Sequence, residues 1–342
     1  MDVRQNNLVD FVSSLSGGDG FRVEESLGSG YVRLRVAEAE RRQAKHDIRC
    51  VEDAVIELLR NSRDAGASRI FVALSREGDM RTVTIVDDGS GIPEHMQERV
   101  FDARVTSKLD TMSMDRWGVH GRGMALYSIR QNAIEARVTR SGVGMGTVMR
   151  TVFDVNAVKE RADQSTWPTV ARTSGKYEVR GPRNILRACV EFALECGRSC
   201  NVYVGSPSEV VSSLRVRLEP TEDLVACAPS RALDARELKS SAEDLGFEMS
   251  ERTAHRIIRG EIAPLRNVYA LVTTARQGGS GRSSSNVRKL SLSDADRREF
   301  VEALERAFGC VGDKYYLTLA SQPRIRVANG LITATFEYMD ES

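Results

Sequence analysis

Glu57-Leu58-Leu59-Arg60-Asn61-Ser62-Arg63-Asp64-Ala65-Gly66-Ala67 decides how the rest of this 342-residue chain reads. As a helix it sets Glu57, Asn61 and Asp64 at i, i+4 and i+7, so two carboxylates and an amide share one face. Val51, Val55, Ile56, Leu58 and Leu59 supply the apolar positions of a packed helix, and Gly66 supplies its stop. A packed helix that also turns acids and an amide inward must give them partners, and a ligand carrying a metal would do so. Taken alone, the stripe reads more simply as the solvent face of an amphipathic helix. The motifs on either side reverse that preference.

Upstream, residues 1–30 are weakly patterned and predict a short helix and a loop ending at Gly28-Ser29-Gly30, followed by a strand over 31–36. Residues 37–67 are helical, as one long helix or two abutting ones. Downstream, 69–74 and 82–89 alternate as strands, and the second runs into Asp87-Asp88-Gly89-Ser90-Gly91-Ile92. A carboxylate ending a buried strand, followed by glycines that let the backbone close in, suits a flat polar ring whose exocyclic amine donates to the acid. An Asp- and Gly-rich turn is also a common plain turn. Thr106-Ser107-Lys108 follows, then Gly118-Val119-His120-Gly121-Arg122-Gly123-Met124-Ala125-Leu126 running into a helix. Glycines ahead of a helix start let successive backbone N–H groups point at one anion, so this is a phosphate cradle by mechanism, although no GKS or GKT ends it as in a Walker loop. Two more strand patterns, 133–140 and 146–153, close the region, with Thr147 behind a glycine.

Composition excludes several classes. Hydrophobic content of 41%, charged content of 28% and a net charge of +1 are those of an ordinary globular protein without a global pull toward nucleic acid or anionic membrane. No apolar run approaches the roughly 18 residues needed to span a bilayer, and the start lacks a leader pattern, so a cytoplasmic protein without a membrane partner is expected. Six scattered cysteines form no CxxC pair and read as reduced core thiols.

Taken in order, ELLRNSRDAGA, DDGSGI, VTSKL and GVHGRGMAL with Gly146-Thr147 behind them resemble the GHKL ATPases, the superfamily of DNA gyrase B subunits, heat-shock chaperones, histidine kinases and MutL proteins. The local likeness is nearest to MutL, down to Ala125-Leu126-Tyr127-Ser128-Ile129, over about residues 45–155. The glycine box departs from MutL in reading GRGMAL, without an acid after the second glycine. The resemblance implies an α/β (α+β) Bergerat-type ATP-binding sandwich, a mixed sheet covered by helices, with ATP and Mg2+ as cofactors. It makes Glu57 the general base, Asn61 the magnesium ligand, Asp64 its support and Asp87 the acceptor for the adenine amine. Gly89, Gly91 and Ile92 would approach the base, with Thr147 near it. Thr106, Ser107, Lys108 and the box Gly118, Val119, His120, Gly121, Arg122, Gly123 and Met124 would hold phosphates. His46-Asp47-Ile48-Arg49 looks like a kinase phosphoacceptor box, but it lies on the same helical run eleven residues before Glu57, which disfavours phosphotransfer.

From about residue 155 the pattern changes. Domains are expected at 1–158, with 1–30 as an arm, and at 170–342, a second α/β domain like the transducer of these ATPases. Lys176, Lys289 and Lys314 are all candidates for its γ-phosphate lysine. Residues 241–261 resemble a helix-turn-helix capped by Ser250, inside a basic region near 241–290. Between 252 and 289 stand eight Arg or Lys against the single acid Glu261, a candidate DNA surface, with two surface helices and a solvated loop as the plain alternative. The leading expectation is a Mg-dependent ATPase whose ATP-driven closure or homodimerisation controls DNA or a protein partner. A nucleotide-sensing DNA-binding regulator with little turnover is the alternative, ahead of a chaperone-like ATPase or a protein kinase.

Overall fold

The computed structural model describes residues 23–107, 113–120, 123–161, 163–173, 176–274, 294–315, 317–328 and 331–340. Strands β1 (Val23–Gly28) and β2 (Tyr31–Leu34) form an antiparallel hairpin. Gly28-Ser29-Gly30 is therefore its turn, with all three residues at positive φ, and the short helix expected ahead of it falls in residues 1–22, outside the described residues. Helices α1 (Glu38–Asp47) and α2 (Val51–Asp64) are separate, because Ile48 and Cys50 are extended between them.

Strands β3 (Arg69–Glu77) and β4 (Met80–Asp87) follow as a hairpin. Next come β5 (Val105–Thr106), which adds to β2, and the hairpin of β6 (Ser113–Asp115) with β7 (Gly118–His120). Helix α3 (Ala125–Asn132) leads to β8 (Glu135–Ser141) and β9 (Thr147–Asp154). The ribbon of β10 (Thr169–Thr173) and β11 (Lys176–Arg180) precedes α4 (Ile185–Cys196), β12 (Asn201–Gly205) and α5 (Pro207–Arg217). The short α6 (Ala228–Arg231) then leads to α7 (Ala235–Asp244), α8 (Glu251–Ile258) and α9 (Val268–Thr274).

The central sheet has the order β12-β3-β4-β9-β8. Only the β12–β3 pair is parallel, so the sheet is mixed, as expected of the fold. Alternation sends Ile70, Val72, Val83, Ile85, Met149, Val202 and Val204 to one face, where α2, α3 and α4 cover them. Phe71, Ala73, Val86, Val148 and Tyr203 point to the other, under α5, α7 and α8. The rings of Phe71 and Tyr203 stack there, 4.8 Å apart.

The contacts divide differently from the expected 158/170 partition. Residues 1–277 form one compact unit and 278–342 another. The reason is β12: its register beside β3, Val202 opposite Ile70 and Val204 opposite Val72, places a strand from beyond the expected boundary in the first sheet. The second unit, among its described residues, holds α10 (Asp294–Tyr315) and two antiparallel ribbons. One pairs β13 (Leu317–Leu319) with β16 (Tyr338–Asp340), the other β14 (Arg324–Ala328) with β15 (Leu331–Thr335).

Candidate functional site

A cavity of about 670 Å3 opens between α2, the ends of β4 and β9, β2, β5 and the start of α3. Its lining brings together Glu57, Asn61, Asp64, Asp87, Gly91, Ile92, Thr106, Ser107, Gly123, Met124 and Thr147, residues spread over 91 positions of sequence from 57 to 147. Helix α2 makes this possible. Val51, Val55, Leu58, Leu59 and Ser62 are buried on the sheet side, which turns Glu57, Asn61 and Asp64 to the cavity. The helix ends in a Schellman turn, Gly66 N–H to Arg63 C=O at 2.9 Å and Ala67 N–H to Ser62 C=O at 3.1 Å, with Gly66 at φ +76°.

Register sets the Asp87 carboxylate on the cavity wall. Asp87 pairs with Thr147 across β4 and β9, on the cavity side of the sheet with Ile85 and Met149. Ser62 Oγ donates to Asp87 Oδ2 at 2.8 Å and the Gly89 amide donates to Oδ1 at 3.0 Å. Burial nevertheless pushes the Asp87 carboxyl above the ordinary range, against the opposing pull of those hydrogen bonds. Asp88, its neighbour, faces elsewhere. Burial works against its charge too, but donors on Ser68 and Arg69 hold it below the ordinary range.

Ser141 orients the Thr147 hydroxyl. Ser141 Oγ donates its one proton to Gly146 C=O at 2.8 Å and accepts from the Ile92 amide at 2.7 Å. The 3.1 Å contact between Thr147 Oγ1 and Ser141 Oγ therefore uses the threonine proton, which leaves the Thr147 lone pairs for the cavity.

Other predicted residues fall differently. Gly89 does not face open space: a Cβ there would lie 2.9 Å from Ala65 Cβ, so it packs the turn against the end of α2. Gly118, Val119 and His120 are in a strand, because their backbone pairs with Ser113–Asp115, and Gly123 and Met124 lead directly into α3. Lys108, Gly121 and Arg122 lie outside the described residues, as does Lys289. The side chains of Lys176 and Lys314 also lie outside the description.

Several lining residues escaped the sequence reading. Tyr31 faces the cavity from β2, its hydroxyl pushed up by burial against a hydrogen bond with Ser107. Arg60 and Trp117 line it as well, and the period of α2 was the available signal for Arg60, one residue before Asn61. Arg60 is 3% exposed and ion-paired on two sides, to Glu57 at 2.5 Å and to Asp115. Burial pushes the Cys189 and Cys200 thiols up to about 12, so these are core groups, not nucleophiles.

The donor set suits a phosphate-bound magnesium. Asn61 keeps a buried amide nitrogen without a hydrogen-bond partner, and the two ends of that amide are interchangeable by a flip. Among the described residues no cluster of three His, Cys, Asp or Glu could cage an ion by itself. Magnesium takes few protein ligands and completes its shell with phosphate and water, so one side-chain oxygen on a cavity wall is enough.

The predicted helix-turn-helix exists as α7 and α8, with Ser250 Oγ accepting from the Thr253 amide at 3.2 Å as its cap. Its inner face, Leu238, Ala242, Leu245, Ala254 and Ile257, fills the core on the far side of the sheet. Arg252, His255 and Arg256 on α8, and Arg259 just past its end, are exposed, but residues 234–261 carry seven acids against five Arg or Lys. Residues 275–293 of the basic region lie outside the described residues.

Comparison with known proteins agrees with the geometry. Residues 46–157 match the family described as histidine kinase-, DNA gyrase B-, and HSP90-like ATPase. The chain is 41% identical over 103 residues to the DNA mismatch repair protein MutL of Thermus aquaticus, which covers 29% of this chain and 19% of that protein. It is 40% identical over 108 residues to the MutL of Acidiphilium cryptum, covering 31% and 18%. The mismatch repair endonuclease pms1 of Dictyostelium discoideum is 32% identical over 126 residues, 36% of this chain and 11% of that protein. The matches thus span less than a fifth of the length of these relatives. Among the described residues no helix is long and apolar enough to cross a membrane.

Proposed function

We propose, from the premise that residues 46–157 are a MutL-like GHKL ATP-binding domain, that this chain is a Mg-dependent ATPase. The observation that carries the proposal is the convergence of Glu57, Asn61, Asp87 and Thr147 on one cavity, with Gly123 and Met124 opening a helix at its wall. Asp87 accepts from the adenine amine, and the lone pairs of Thr147 face the same edge. The backbone at the start of α3 offers N–H groups to phosphate oxygens. Asn61 would hold magnesium, and the ion would supply positive charge to offset that of the phosphates.

Glu57 acts as the base in this reading. Its ionised carboxylate accepts a proton from water as the water oxygen bonds to phosphorus and the bond to the leaving diphosphate breaks. The protein's remaining contribution is position. ATP-driven closure or self-association then controls a partner, and the likeness to DNA mismatch repair proteins supports a partner engaged with DNA.

Glu57→Ala should lower hydrolysis at least ~100-fold while Mg-ATP affinity stays within a few-fold, as expected for loss of a general base. Undiminished turnover in that variant would overturn the assignment. Self-association is tested by sedimentation with and without a non-hydrolysable ATP analogue, where an unchanged sedimentation coefficient would count against it. A nucleotide-sensing DNA-binding regulator is the second reading, favoured by the exposed Arg252 and Arg256 on α8 and Arg259 at its end. It requires duplex binding that weakens with salt and on Arg256→Ala with Arg259→Ala.

A further inference from the structure

Helix α2 carries a second charged layer that the proposed chemistry does not use. Arg60 presents two edges of one guanidinium to two carboxylates. Nη1 donates to Glu57 Oε1 at 2.5 Å, while Nε donates to Asp115 Oδ2 at 2.8 Å and Nη2 pairs with Asp115 Oδ1. Asp115 ends β6, in the hairpin β6–β7. Both ends of this link are dry, with the Arg60 side chain 4% exposed and that of Asp115 5%, against 24% for Glu57.

The hairpin is held around the same point. Arg63, one turn along α2, pairs with Asp115 Oδ2 at 3.4 Å and with Glu195 of α4 at 3.7 Å. The Trp117 amide donates to Asp115 Oδ1 at 3.0 Å, and the Trp117 ring lies 5.7 Å from the Arg60 guanidinium and 6.2 Å from the Phe192 ring on α4. A buried guanidinium with a forked carboxylate on one edge has little freedom to move the other.

We propose that Arg60 is a positioning residue for Glu57, and that Asp115 of the β6–β7 hairpin sets its position. This rests on Glu57 being the base. With Asp115 in the fork, Arg60 meets Glu57 through Nη1 and holds its carboxylate at one place on the cavity wall. Loss of the Asp115 carboxylate removes the forked partner that fixes the guanidinium, and the Glu57 carboxylate then leaves its working geometry. The hairpin and the base are thereby one mechanical unit.

The test uses the full chain with Asp115→Asn, Asp115→Glu and Arg60→Lys. Asp115→Asn keeps the size and loses the charge. Asp115→Glu keeps a carboxylate able to take the fork. Arg60→Lys keeps the charge but has no planar fork. We expect kcat to fall ~10-fold or more in Asp115→Asn and Arg60→Lys, since small misplacements of reacting groups cost that much. KM and the affinity for a non-hydrolysable ATP analogue should stay within about two-fold. Asp115→Glu should recover most of kcat, and Trp117 emission should shift in Asp115→Asn.

Wild-type kcat in Asp115→Asn and Arg60→Lys, or an Asp115→Glu variant as impaired as Asp115→Asn, would overturn the proposal. So would loss of analogue binding together with kcat in all three, which marks a structural role only. Glu57→Gln separates the two claims. If it turns over like wild type, the base assignment fails; if it is inactive while the Arg60 and Asp115 variants are normal, only the link fails.

Discussion

Asp87 and Asp88 are adjacent residues of the same chemistry with opposite surroundings, and β-strand alternation is the cause. Asp88 turns toward Ser68 and Arg69, which supply four contacts to its oxygens. Asp87 turns into the core, where burial raises its carboxyl above the ordinary 3.8. The sign follows from linkage. A carboxyl raised in the folded state contributes stability that is present below the ordinary value and lost as pH rises through the raised one. Without nucleotide, the wild type should therefore lose stability relative to Asp87→Asn as pH is raised from 3.8 toward neutrality. Urea denaturation of both proteins across that range measures the difference, and a difference that is flat or of the opposite slope would contradict the burial argument. The same variant should bind ATP more weakly, because an amide that turns its NH2 group to the adenine amine no longer accepts.

At the scale of elements, the site depends on turns brought into contact as much as on side chains. Gly91 has φ +69°, and a Cβ added there would lie 1.8 Å from Gly142 C=O, in the turn between β8 and β9. The backbone at 91 and at 142 must touch for Ile92 to reach Ser141 and for Ser141 to orient Thr147. Gly91→Ala should cost on the order of 3 kcal/mol from strain and overlap together. Thermal unfolding measures it, and a shift no larger than that of an exposed substitution would refute the close approach.

This contact also marks what the sequence made legible. The period of α2 announced Glu57 and Asn61, the end of a strand pattern before glycines announced Asp87, and the glycine ahead of Thr147 announced that residue. The partners of those residues are supplied by tertiary register. Ser62 reaches Asp87 across 25 positions and Asp115 reaches Arg60 across 55. In the glycine box, strand pairing takes Gly118–His120, a tertiary pairing with no local signal, and the helix starts at Ala125.

For the whole molecule, the decisive feature is the strand that returns from beyond the nucleotide-binding segment. The composition change near residue 155 is real as a loop signal, but β12 pairs five residues with β3, from Asn201 opposite Arg69 to Gly205 opposite Ala73. Helix α4 packs on α2, the helix that bears Glu57, and α5 covers β3 from the reverse face. A chain cut after residue 158 would expose the edge of β3, uncover Phe71, Ala73, Val86 and Val148, and remove the Phe192 wall behind Trp117. The fragment 1–158 should accordingly aggregate or unfold without a cooperative transition. The fragment 1–277, which keeps the compact unit whole, should unfold in one step and bind Mg-ATP. Calorimetry and nucleotide titration of the two fragments decide between them. A soluble 1–158 with cooperative melting and full ATP affinity would show that the sheet needs no fifth strand, and that the nucleotide site is independent of everything beyond it.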